Sequence, residues 1–498
     1  MHGGEDAVRR AGLVLWLTVV LLLGGCAVGP DYVTPSIELP TRWSDANGKR
    51  TPPPPALAQW WRRLNDPLLD RLIEGAVQAN VDVAAAKARV REARATQRQA
   101  VGALFPSITG SETATTNRTA SAATVGFGAG GDTTYNLFKA GFDASWELDL
   151  FGGNHRAVEA ATYGVDAAED DLRATLLTLV GDVASYYVDA RGYQARVALA
   201  RRTASSQRET AAITQKKFDA GSASAVDVAK ATAQAAATEA SIPVNEASFR
   251  EAVHRLSILL GRDPSALAPQ FARVAAIPSP RFPLPKGIPA DVLTMRPNVR
   301  KAERQVAQYT ARIGQAQAAL YPDLSLSGSL STSALKLGDL GKSSSIGWSF
   351  GPTLSVPIFN GGKLQAAVEI AEAQRDQYSL AWRNAVLSAL EEVENAIVSL
   401  AQERIRIRSL SESARHYGDA ARLSHSLYEN GSSSFLDVLD AERSLFSAED
   451  SVLQSRAAIA KDYVALAKSL GGGWDGGIDS TKPEIVDTNS GPHPIQGF

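Results

Sequence analysis

The sequence predicts a mainly α-helical chain with a transmembrane β-barrel contribution. Three observations predict it. The chain carries one plan twice, each copy holds an unusually long heptad seam, and each copy holds strands that alternate apolar with polar residues.

The duplication sets the organisation. Ala103-Leu104-Phe105-Pro106 returns as Ala319-Leu320-Tyr321-Pro322, and 142–151 matches 350–359 in spacing and pattern. Phe218-Asp219-Ala220-Gly221, followed by Asp227-Val228, returns as Tyr428-Glu429-Asn430-Gly431, followed by Asp437-Val438. Leu259-Leu260-Gly261 closes the first copy and Ser469-Leu470-Gly471 the second. The first repeat therefore covers 61–262 and the second 290–471, with a Pro-rich linker at 263–289. The Gly-rich, polar composition of 472–498 reads as a flexible tail.

The helices follow from period. Leu172, Leu176, Leu179, Val183, Tyr186, Ala190, Tyr193, Val197 and Ala200 alternate spacings of four and three. Helices packed side by side need such a seam. The second copy repeats it at Trp382, Val386, Ala389, Val393, Ala396, Leu400, Glu403, Ile407 and Leu410, where only Glu403 breaks the apolar register. No proline occurs from 155 to 218, so one helix there would reach on the order of 90 Å. A cytosolic coiled coil would explain the seam alone, but not the leader or the strands.

The strands follow from a period of two. Phe138, Ala140, Phe142, Ala144, Trp146, Leu148 and Leu150 alternate with Lys139, Asp143, Ser145, Glu147 and Asp149. Ile346, Trp348, Phe350, Pro352, Leu354, Val356 and Ile358 alternate with Ser, Gly and Thr. Leu324, Leu326 and Leu330 alternate with Ser325, Ser327, Ser329 and Ser331. One apolar and one polar face suit a membrane barrel with a wet lumen, and equally a half-buried strand of a soluble sandwich. With one hairpin per copy the chain has four strands, too few to close. Edges left open in lipid would strand backbone groups at several kcal/mol each. Two chains would give an eight-stranded barrel filled by its own side chains, whereas three would give twelve strands and an opening.

The N-terminus reads as a targeting segment. Arg9 and Arg10 precede an apolar run from Leu13 to Leu23, too short to span a bilayer and suited to a secretory signal. Glu5 and Asp6 are atypical of such a leader. Leu23-Gly24-Gly25-Cys26 resembles a bacterial lipoprotein cleavage box, giving a signal peptide at 1–25 and a lipid on Cys26, the only cysteine of the chain. Ala27 after it, rather than Asp, favours the outer membrane by the same resemblance. A Pro-rich arm, 26–60, follows.

Composition excludes other classes. The 498 residues carry 51 basic and 53 acidic side chains without a long basic run, which argues against nucleic acid as a partner. After the first thirty residues no stretch approaches the roughly 18 consecutive apolar residues of a membrane helix. The six histidines (His2, His155, His254, His416, His425, His493) show no metal-ligand spacing. The cluster Gly126-Phe127-Gly128-Ala129-Gly130-Gly131 lies between strands and lacks the following helix of a phosphate cradle. No nucleophile and base stand out, so the chain is not expected to be an enzyme or to hold a cofactor beyond the lipid.

These motifs in this order resemble the TolC-like outer-membrane efflux factors, particularly the lipoprotein branch paired with RND-type pumps. The resemblance rests on Cys26-Ala27-Val28-Gly29-Pro30-Asp31-Tyr32, the segment 80–106, Arg296-Pro297-Asn298-Val299, and 431–441 with Asp437-Val438-Leu439-Asp440. It implies a lipid-anchored outer-membrane homotrimer, palmitate on Cys26, and a twelve-stranded barrel on a long helical periplasmic tunnel. The tunnel would dock a periplasmic adaptor and an inner-membrane pump, making the chain an exit duct. Asp437 and Asp440 match the family's acidic constriction, with Asp227 and Lys230 at the corresponding first-copy positions. Six such carboxylates around one axis would attract cations and raise one another's pKa, an electrostatic gate. Tyr428 matches a tyrosine that latches neighbouring helices. The arginine often found two residues after Gly431 is Ser433 here. Gly221 and Gly431 would turn the helix tips and meet the adaptor. A passive porin would instead need many more strands and no long helices. A non-conducting envelope lipoprotein would not need the strands.

Overall fold

A computed structural model describes residues 27–37, 57, 59–119, 133–280, 296–474 and 477–480. The signal peptide, Cys26, Pro52 to Pro55 and the cluster Gly126 to Gly131 lie outside the described residues, as do residues 281–289 of the linker and most of the tail.

The element order repeats. The first copy runs α1 (Pro67–Ala79), α2 (Val81–Gly102), β1 (Ser107–Thr119), β2 (Thr133–Glu147), α3 (Gly153–Asp219) and α4 (Ala225–Leu259). The second runs α5 (Pro297–Ala318), β3 (Asp323–Ala334), β4 (Ile346–Ser355), α6 (Lys363–Glu429) and α7 (Phe435–Ser469). Both α3 and α6 have 67 residues, and both α4 and α7 have 35. The two sequence motifs ending in Pro106 and Pro322 are the helix-to-strand junctions. α2 stops at Gly102 and α5 at Ala318, each four residues before its proline, which keeps the residue preceding it, Phe105 or Tyr321, out of helix.

The compact units cut across the sequence copies. One unit gathers Glu92–Ala167 and Ala302–Trp382 with residues up to Ser36, and contains the sheet. The other gathers the helical segments Ile37–Arg91, Ala168–Lys301 and Arg383 onward.

In the sheet unit, the four strands form an antiparallel meander in the order β1-β2-β3-β4. The register aligns the sequence alternation across strands. Phe142 pairs with Leu330, which pairs with Trp348, and Trp146 pairs with Leu326, which pairs with Pro352. One face is therefore aromatic and aliphatic. The other carries Asp143, Ser329 and Ser349 in one row, with Ser329 Oγ and Ser349 Oγ 2.8 Å apart. Leu148 and Leu150 fall beyond β2, and Val356 and Ile358 beyond β4, so the alternation outlasts the strands.

In the helical unit the seam is buried as a row. Leu172, Leu176, Leu179, Val183, Ala190 and Ala200 of α3 are buried, as are Val386, Ala389, Val393, Ala396 and Leu400 of the second copy; Trp382, the first residue of that row, is buried in the sheet unit. A further row on α3, formed by Val180, Ala184, Tyr187 and Arg191, is buried as well. One helix thus packs on two sides, which no single heptad expresses. Arg191 is tolerated inside because Tyr187 and Phe271 lie under its guanidinium at 5.2 and 4.8 Å, and Gln194 and the Arg273 carbonyl accept its protons.

Candidate functional site

The two long helices end in the same turn. The N–H of Gly221 donates to the Phe218 carbonyl and that of Ser222 to the Lys217 carbonyl, both at 2.8 Å. Gly431 and Ser432 repeat this onto Tyr428 and Leu427 at 3.1 and 2.8 Å. Gly221 has φ 75° and Gly431 φ 74°, the left-handed region that closes a helix C-terminus. Nothing lies within 4 Å of a Cβ built at either glycine, so backbone conformation and not crowding selects the residue.

Each following helix begins with a serine and, three residues later, an aspartate. Asp227 Oδ2 accepts from the Ser224 N–H at 3.2 Å and its hydroxyl at 2.7 Å. Asp437 Oδ2 accepts from the Ser434 N–H at 3.2 Å, the Ser434 hydroxyl at 2.8 Å and the Ser433 hydroxyl at 2.7 Å. Both aspartates thus stabilise a helix N-terminus. Asp437 is exposed, and the Ser433 hydroxyl first, then the Ser434 hydroxyl and N–H, hold its carboxyl below the ordinary value. These donors belong to the same chain, whereas the rise expected from crowded like charges concerns carboxylates of three chains. Ser433, standing where an arginine is usual, is one of the donors responsible. Asp440, one turn on, is exposed, and so is Lys230 at the matching first-copy position.

Tyr428 is buried, unlike its half-exposed counterpart Phe218. Its hydroxyl donates to Thr214 Oγ1 at 3.2 Å, tying α6 to α3 within the chain. Phe435 meets its ring edge-on at 5.9 Å, and Ala231, Val438 and Leu439 complete the apolar cluster. Lys217 Nζ sits 4.5 Å over the ring and donates to the carbonyls of Tyr428 and Glu429. A cation on the last carbonyls of α6 complements that end of the helix.

Sequence reasoning missed Thr210, Thr214, Lys217, His425 and Glu442. Thr210 Oγ1 lies 2.8 Å from His425 Nε2 and 2.7 Å from Glu442 Oε1, inside the unit. Read along the chain, these polar residues look like a solvated face. The one available signal is that Thr210 and Thr214 stand four apart, a turn before the helix end.

The residues just after Cys26 are held in the sheet unit. The Val28 N–H donates to the Phe151 carbonyl at 3.1 Å. The buried Arg156 guanidinium donates to the carbonyls of Val28 and Gly29, both at 3.2 Å, and to Asp31 at 2.8 Å. Gly29 has φ 98°, and a Cβ there would come 2.3 Å from the Gly314 Cα. Tyr32 donates to Glu303 at 2.7 Å, and burial, then that carboxyl, push its hydroxyl pKa up. Among the described residues no cluster of His, Cys, Asp and Glu could hold a metal, and no helix is long and apolar enough to cross a membrane.

A sheet bare on its apolar face, in a chain whose long helices end at glycine-turned, serine-capped tips, defines an outer-membrane channel protein with a helical extension. The chain belongs to the outer membrane efflux protein family, whose sequence model matches residues 72–262 and 288–472. It is 37% identical over 467 residues to Nodulation protein T of Rhizobium leguminosarum bv. trifolii, covering 91% of this chain and 96% of that protein. It is 32% identical over 460 residues to the solvent efflux pump outer membrane protein SrpC of Pseudomonas putida, covering 91% and 97%. The solved structure of the outer-membrane channel OprN matches with a TM-score of 0.81 at 33% identity, over 90% of this chain and all of that one.

Proposed function

We propose that this chain is the exit duct of a tripartite efflux system, a homotrimer that conducts drugs or other small molecules across the outer membrane of a Gram-negative cell. The bare sheet carries the reading. Trp348 is 78% exposed and Phe350 70%, and Phe142, Leu330 and Leu354 beside them are exposed too. Such a face belongs against lipid. Both outer strands, β1 and β4, are edges. In lipid those edges must pair, and three chains pooling four strands each close a barrel with a lumen.

The duct performs no bond-making step, and its work is to hold an opening and to control it. Asp437 and Asp440 from three chains would form the acidic mouth, with Asp227 at the start of each α4. Tyr428 would hold the helix pair α6–α7 closed on α3. Gly221 and Gly431 would present the turns to a periplasmic adaptor, which joins the duct to an RND-type inner-membrane pump. Cys26 would carry the lipid, with Arg156 holding the residues after it. Single-channel recording of the purified protein in a planar bilayer tests the reading. Stepwise openings from a mostly closed baseline are expected. A permanently open pore would favour a passive porin, and no conductance at all a structural envelope lipoprotein.

A further inference from the structure

Thr210 on α3, His425 on α6 and Glu442 on α7 close a polar triangle whose third side, His425 Nε2 to Glu442 Oε1, is 3.1 Å. Thr210 is 2% exposed and Glu442 8%. One set of protons satisfies all three atoms: the Thr210 hydroxyl donates to Glu442, and the His425 Nε2–H points between the two oxygens. The triangle joins three helices close above the Tyr428–Thr214 contact.

One turn further from the tip the polarity continues without partners. Gln207 lies three residues before Thr210, on the same face of α3. It is 2% exposed, and among the described residues neither its amide oxygen nor its amide nitrogen has a hydrogen-bond partner. By the same spacing α6 carries Ala421, one turn before His425, and α7 carries Leu445, three residues after Glu442. Neither side chain has a polar atom. A buried amide with nothing to bond is disfavoured in the packing where it stands, and a leucine of similar size would not be.

We infer that Gln207 is a positioning residue of the tip, the second station for the Glu442 carboxyl. In the arrangement described here Glu442 occupies the first station, Thr210 with His425. When the helix pair α6–α7 slides along α3 away from the tip, Glu442 moves by about three residues of helical rise, some 4.5 Å, and takes the Gln207 amide instead. The tip then has two discrete packings, each with a partner for the one buried carboxyl. The role as a tip control rests on the exit-duct reading. The two stations themselves rest on the packing alone.

The test compares purified full-length wild type, Gln207→Leu and Thr210→Val. It reads deuterium uptake at the amides of 435–445 and open probability in planar bilayers. Removing the second station favours the first, so Gln207→Leu should lower both readouts several-fold. Removing part of the first, Thr210→Val should raise both. Uptake in Gln207→Leu equal to or above wild type overturns the inference, whatever the bilayers record. Should that variant not fold, Thr210→Val with unchanged or reduced uptake overturns it instead. A wild type that never conducts, combined with uptake lowered by Gln207→Leu, defeats the exit-duct reading and supports the two stations.

Discussion

Lys217 stands over the ring of Tyr428, its Nζ 4.5 Å from the centroid, and donates to the carbonyl of that same residue. One side chain near the end of α3 thus holds both the face and the backbone of Tyr428 near the end of α6. The counterpart of Lys217 in the second copy is Leu427, which is exposed, so the contact exists once per chain. The duplication has diverged at the tips into a holding side and a held side.

Lys217→Met keeps the stem and removes the charge. A partly screened cation–π contact contributes about 1 kcal/mol, so the ratio of open to closed tips should rise about fivefold. Open probability in planar bilayers measures it, and Lys217→Arg should restore much of the closed state. A Met variant that gates like wild type would assign the hold to Tyr428 and Thr214 alone.

Gly431 is required for its φ of 74° and not for room, since a Cβ there meets nothing within 4 Å. Gly431→Ala should therefore cost about 1–2 kcal/mol, and Gly431→Asn less, because asparagine tolerates the left-handed region. Deuterium uptake across 427–435 should rank glycine below asparagine below alanine. Equal uptake for all three would mean that the turn can relax into another conformation.

The sequence exposed the periodic parts of this fold and concealed the pairwise ones. The duplication, the heptad rows and the strands β2, β3 and β4 are periodic, and Phe142, Leu330 and Trp348 fall into one row as their alternation requires. β1 carries almost no such signal. It reads Ser-Ile-Thr-Gly-Ser-Glu-Thr-Ala-Thr-Thr-Asn-Arg-Thr, with Ile108 its only large apolar residue. It is a strand because β2 offers it a partner over its whole length, from Ser107 to Thr119. The capping role of Asp437 is legible in Ser434 followed three residues later by an acid. The buried contacts of Thr210 and Glu442 join residues more than 200 positions apart, and no local pattern encodes them.

The two sheet faces should respond oppositely to charge. Trp348→Arg or Leu354→Arg places a guanidinium on the apolar face and should impair insertion by about 2–4 kcal/mol near the midplane. Ser349→Asn, on the opposite face, should insert as wild type. Trp146→Arg should be worse placed still, because the Trp146 indole also donates to the Leu104 carbonyl at 3.0 Å. Insertion into outer-membrane vesicles, read by protease protection of the strands, compares them. Equal insertion of both classes would reverse the assignment of faces.

Cys26→Ser should abolish acylation, read by metabolic labelling with a fatty acid. Residues 28–31 should stay in place, because Arg156 and the Phe151 carbonyl hold them without help from a lipid. Limited proteolysis near residue 30 should therefore match wild type. Arg156→Ala should do the reverse, leaving labelling intact while opening that segment to protease. Persistent labelling of Cys26→Ser would remove the anchor from this cysteine.

The last prediction concerns the acidic tip and its pH dependence. The Ser433 and Ser434 donors hold the Asp437 carboxyl below its ordinary value, so the cap it forms is present above the unfolded pKa. That contribution is lost only as pH falls through the lowered, folded value. Mild acid should therefore leave Asp437 charged and the start of α7 intact. Asp437→Asn with Asp440→Asn should weaken block by multivalent cations entering from the periplasmic side, by removing the charges that attract them. Because the serine donors oppose protonation, native trimers at about pH 5 should still be blocked like those at pH 7. Ser433→Ala with Ser434→Gly removes the two hydroxyl donors at that carboxyl, keeps the 434 N–H, and should shift the loss of block towards neutral pH. Conductance against added multivalent cation, for these three proteins at both pH values, decides it. Native block that disappears at pH 5 would mean that repulsion within the ring outweighs the serine hydrogen bonds. Identical block in the native protein and the double asparagine variant would leave both aspartates as residues of the helix start alone.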